Sequence, residues 1–80
     1  MSGLGESHRL FMHGAQSVRV VREHDATRWR LSVFGPGTEV AIREFDDLPG
    51  CMKRQVEVEQ RLVAEGYRRT DASGLQPSTP

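Results

Sequence analysis

Cysteine, net charge and long apolar runs are all scarce in this sequence, and each scarcity narrows what the chain is expected to be. One cysteine among 80 residues allows no internal disulfide. The formal charge is zero, from 11 basic and 11 acidic side chains, so no long-range field draws the chain towards nucleic acid or an anionic membrane. No apolar run has the length of a membrane span or the build of a signal sequence. These features point to a soluble protein in a reducing, cytoplasmic setting, and the length suits one domain. Chemistry is scarce too. His8, His13 and His24 share no spacing that sets two of them on one helical face, so no metal site is expected. No Ser-His-Asp pattern and no phosphate-binding glycine loop occurs, and no cofactor is expected.

What the chain does have is alternation. From Arg28 to Phe45, RWRLSVFGPGTEVAIREF, apolar and polar residues exchange places with a period of two on either side of Gly35-Pro36-Gly37-Thr38. Such alternation in residues of high β-propensity marks half-buried strands, and the glycines and proline supply the turn. With a four-residue loop, Val33 is expected to face Val40 and Leu31 to face Ile42. Ser17 to Glu23 reads as a preceding strand, joined through His24-Asp25-Ala26-Thr27. Pairing Glu23 with Arg28 then sets Val20 beside Leu31 and Val18 beside Val33. One apolar face would therefore hold Val18, Val20, Trp29, Leu31, Val33, Val40 and Ile42.

Asp46-Asp47-Leu48-Pro49 carries the signals of a helix start, a carboxylate N-cap and a proline in the first turn, and Gly66 ends the helix. The segment from about Leu48 to Glu65 has an apolar arc with Gln55 and Glu59 in its middle. That arc resolves into two stripes: Met52, Val56 and Val63 on one side, Cys51, Val58 and Leu62 on the other, with Glu59 between. One stripe would cover the sheet, and the other would meet a second subunit.

The predicted fold is thus α+β, a three-stranded antiparallel sheet in a β-β-β-α meander with one C-terminal helix packed on one face. Residues 17–69 form the domain. Residues 1–16 read as a mobile tail with an isolated cluster at Leu10-Phe11-Met12, and residues 70–80 as a disordered, Pro-rich tail.

Asp47-Leu48-Pro49-Gly50-Cys51 resembles the DLPGC motif of HicB-type antitoxins, small sheet-and-helix proteins that bind a toxin. The resemblance covers five residues of 80. In that family the motif follows the second strand and leads into another strand, whereas here three strands precede it and helical sequence follows. No functional residue is carried over.

Two candidate surfaces follow from this reading. The open sheet face would carry Arg19, Arg28, Arg30, Arg43, Phe34 and Phe45, with Arg30 opposite Arg43, a like-charge pair that needs compensation. The helix stripe Cys51, Val58, Glu59 and Leu62 would supply an interface. The expected function is binding rather than catalysis, as a homodimer or through a protein partner. The alternative is weak single-stranded nucleic-acid binding, with bases stacked on Phe34 and Phe45 and phosphates held by the arginines. An enzyme completed only where two chains meet would rest on Glu59 or Cys51.

Overall fold

The computed structural model describes residues 6–70. Five strands and one helix follow in the order β1 (Ser7–His13), β2 (Gln16–Asp25), β3 (Arg28–Phe34), β4 (Val40–Phe45), α1 (Leu48–Ala64) and β5 (Arg68–Arg69). All neighbours in the sheet are antiparallel, and the spatial order is β4-β3-β2-β1-β5. The α+β class and the antiparallel sheet under one helix hold, but the sheet has five strands where three were expected. The two additional strands lie in the stretch expected as an N-terminal tail and just after the helix. Of residues 70–80, expected as a tail, all but Thr70 lie outside the described residues, as do residues 1–5 of the N-terminal segment.

β1 exists because its residues have something to cover. Phe11 is 2% exposed and joins Val18, Val20, Leu31, Cys51, Leu62 and Tyr67 in the core. A two-residue turn, Gly14-Ala15, reverses the chain into β2 with His13 opposite Gln16. Gly14 takes φ +62° there, the conformation such turns ask of glycine.

The β2–β3 connection is also a two-residue turn, shorter than expected. Strand pairing continues through His24 opposite Trp29 and Asp25 opposite Arg28, and the rings of His24 and Trp29 lie 4.6 Å apart. The pairing is displaced by two residues, so Val20 meets Val33 and not Leu31. A displacement of two leaves every side chain on its expected face.

The β3–β4 connection departs by one residue, and the consequence is larger. Five residues, 35–39, separate the strands, closed by a bond from the Gly35 N–H to the Glu39 carbonyl (2.7 Å). Gly35 takes φ +102°, and a Cβ there would stand 2.4 Å from the Ser17 carbonyl oxygen, so the loop folds tightly over the end of β2 only because this residue is glycine. Val33 now faces Ala41 and Leu31 faces Arg43. All of β4 is turned over relative to expectation, with Val40 and Ile42 on the uncovered face and Ala41, Arg43 and Phe45 on the helix side.

α1 begins as its sequence signals. The Asp47 side chain accepts a bond from the Gly50 N–H (3.0 Å), with Pro49 in the first turn. It ends in a Schellman motif, Tyr67 N–H to the Leu62 carbonyl (2.9 Å) and Gly66 N–H to the Val63 carbonyl (3.0 Å), with Gly66 at φ +102°. The same turn sends Tyr67 back into the core, where its hydroxyl donates to Gln16 Oε1 (3.1 Å).

Candidate interaction surface

α1 lies across β2, β3 and β4, and the residues it lays against them are Cys51 and Gln55, fully buried, and Leu62, buried, with Val58 half-buried. The stripe expected to meet a second subunit, Cys51, Val58 and Leu62, is therefore the one that covers the sheet. Met52, Val56 and Val63 face outwards, at 43%, 51% and 60% exposure. Val56 and Val63 line an open groove of about 390 Å³ with Phe11, Glu59, Gln60 and Arg69.

The polar residues within the helix stripe are accounted for by β1 and β2. Glu59 accepts from Arg9 Nη1 (2.7 Å) and, through its other oxygen, from Gln55 Nε2 (2.8 Å). Gln55 in turn accepts from Arg22 and lies 3.4 Å from Ser7 Oγ. Burying polar groups in this way costs little once each is bonded, and the network ties the first strand to the helix. Glu59 thus belongs to an intramolecular tether. Arg22 is bonded to Gln55, and Arg9, in the segment expected as a tail, takes the pairing with Glu59.

Cys51 is 0% exposed, and burial pushes its thiol above the ordinary thiol range, with the Arg22 guanidinium opposing in part. A buried thiol with that shift is poor as a nucleophile. No group of three or more His, Cys, Asp or Glu side chains among the described residues is placed to hold a metal ion. No helix among them is long and apolar enough to cross a membrane.

The uncovered face of the sheet is ordered in rows. One runs Leu10, Arg19, Phe34, Val40; the next His8, Val21, Ser32, Ile42; the third Glu23, Arg30, Glu44. Of the six residues expected to form a stacking platform, Arg19, Arg28, Arg30 and Phe34 lie here, while Arg43 and Phe45 are on the helix side. The like-charge pair disappears with the change of register, because Arg30 faces Glu44.

The two ends of this face differ in chemistry. At one end Arg28 approaches Glu44 (3.8 Å) and Asp46 (3.1 Å), and Arg30 approaches Glu23 (3.7 Å), Glu44 (4.0 Å) and Asp25. Two guanidinium groups are thus set among four carboxylates. At the other end Phe34, Val40 and Ile42 are 39%, 57% and 55% exposed and adjoin one another, Phe34 directly opposite Val40. Val21 and Ser32, in the middle row of this face, are 4% exposed each.

β4 is an edge strand. Among the described residues it pairs with β3 alone, and all but its last residue are exposed. The Gly35–Glu39 bond sets the phase of the ladder, in which paired and outward groups alternate. Ala41, Arg43 and Phe45 bond to β3, and the main-chain N–H and C=O groups of Val40, Ile42 and Glu44 point to the free edge. The opposite edge, β5, is only two residues long, the short form in which proteins ordinarily leave an edge exposed.

Comparison of the chain with protein-family models, curated proteins and solved structures finds no match. The DLPGC stretch that resembles the HicB motif forms the N-cap and first turn of α1.

Proposed function

We propose that this chain acts by binding another polypeptide on the uncovered sheet face beside β4, and not through chemistry of its own. The observation that carries this reading is the contiguous apolar patch of Phe34, Val40 and Ile42 on a strand whose outer edge is open. An exposed apolar patch next to unbonded main-chain groups offers the two things that strand addition uses, side-chain burial and a ladder of hydrogen bonds. The charge on the same face supports a protein partner over nucleic acid. Arg28 and Arg30 are already engaged by carboxylates, and a phosphate backbone approaching them would meet Glu23, Asp25, Glu44 and Asp46 as well.

Solution mass across a dilution series, at low and at high salt, tests this, together with titration of a single-stranded oligonucleotide. The expected result is a mass above the 9.0 kDa of one chain that persists at high salt, with no salt-dependent oligonucleotide binding. A single-chain mass throughout, joined to oligonucleotide affinity that falls steeply with salt, would overturn the reading.

A further inference from the structure

Two charged side chains on the helix side of β4, Glu39 at its entry and Arg43 within it, make no ion pair and no side-chain hydrogen bond among the described residues. They are spaced four apart along one face of an edge strand, with Ala41 midway between them. On the opposite face Val40 and Ile42 flank the same alanine, both more than half exposed. About Ala41 the strand is therefore its own complement.

We infer that the polypeptide bound at β4 is a second copy of this chain, paired antiparallel with β4 opposite β4, so that Ala41 faces Ala41 of the second copy. This rests on the polypeptide-binding reading above and names its partner. In this register Glu39 faces Arg43 of the second copy, twice by symmetry, and Val40 faces Ile42 of the second copy, again twice. Opposite charges meet on the helix side and aliphatic side chains on the other, the pairings that favour adjacent strands. The backbone agrees. Val40 and Ile42 are the residues whose main-chain groups point outwards, so each Val40–Ile42 pair exchanges both of its bonds, while the small Ala41 occupies the closer, non-hydrogen-bonded position.

Neighbouring registers lack this match. A two-fold pairing joins residues of the same face, so the centre falls on a residue. Centred on Ile42, the pairing sets Glu44 against Val40 and Arg43 against Ala41. Centred on Arg43, it places two guanidinium groups directly opposite each other, which is destabilising. Centred on Val40, it sets Glu39 against Ala41 and leaves Ile42 against Thr38. The second copy would join two five-stranded sheets into one continuous sheet and remove the long open edge from each.

The test uses the full chain with exposed positions altered, so folding is little disturbed. In an antiparallel pair the non-hydrogen-bonded Cα atoms stand about 4.5 Å apart, within the range a disulfide spans. Ala41→Cys is therefore expected to form a covalent dimer under a mild copper–phenanthroline oxidant, and Ile42→Cys is not. The native Cys51 is buried and supplies the uncrosslinked control. Glu39→Arg and Arg43→Glu should each weaken dimerisation roughly tenfold, through two like-charge contacts per dimer, and the chain carrying both reversals should regain the original affinity. A dimer by mass with no crosslink at Ala41→Cys, and no response to the charge reversals, would overturn pairing at β4 while leaving polypeptide binding in place. A single-chain mass throughout would overturn the second copy as partner, and the oligonucleotide titration would then decide the broader reading.

Discussion

Ala26 is the one non-glycine residue among the described residues with positive φ, at 56°. It occupies the first central position of the β2–β3 turn, a place where a two-residue hairpin calls for glycine. A Cβ in left-handed geometry costs about 1–2 kcal/mol, part of which glycine gives back as unfolded-chain entropy. Ala26→Gly should therefore raise stability by about 0.5–1 kcal/mol, measured by urea unfolding. The turn is two residues where four, His24-Asp25-Ala26-Thr27, were expected, because Ala-Thr carries no two-residue turn signature. The alternative, two further cross-strand pairs with an aromatic contact at His24 and Trp29, outweighs one strained residue. Cys51 makes a second prediction at this scale. Its thiol is held above the ordinary range in the folded chain, so between the unfolded and folded pKa values the unfolded chain has released a proton that the folded chain retains. Stability contributed by this site is complete below the unfolded thiol pKa and is lost as pH rises through the folded one. Unfolding midpoints followed across alkaline pH should fall more steeply in the native chain than in Cys51→Ala, whatever the offset between the two at neutral pH.

At the scale of elements, what could be read from the chain and what could not divides at the turns. Strand-like alternation in β2, β3 and β4 and the capping signals of α1 are local properties, and each element stands where those signals place it. Register is not local. One residue more in the loop after Phe34 reverses β4, and no pattern within Val40–Phe45 opposes that, because Val-Ala-Ile presents an apolar side chain to either face. The helix posed a similar ambiguity: two apolar stripes of equal length, of which Cys51, Val58 and Leu62 turned inwards together with Gln55. Glu59 on that arc is met by Arg9 of β1, in the segment expected as a tail. The alternation of Arg9, Phe11 and His13 with His8, Leu10 and Met12, followed by Gly14, was the available signal, masked by three successive apolar residues. If the Arg9–Glu59–Gln55 network secures β1 to α1, Glu59→Ala should lower stability by about 1.5–3 kcal/mol, the range for hydrogen bonds to a charged group. Removing Arg9 in addition should cost much less than it does alone, and a double-mutant cycle in urea reads that coupling directly.

For the molecule as a whole, the sheet order places the first strand between the second and the last. β5 contributes two residues to the ladder and one further bond, Thr70 N–H to the Leu10 carbonyl (2.8 Å). Nothing in Tyr67-Arg68-Arg69-Thr70 marks it as a strand, since so short a segment has no period to display. Its position comes from the helix, whose C-terminal turn delivers Tyr67 to the core and the next residues to the open side of β1. The described chain thereby enters and leaves on one flank, with Thr70 beside β1 and β4 on the opposite rim. Strand addition at β4 would therefore lengthen the sheet at the rim opposite the one where residues 6–70 begin and finish.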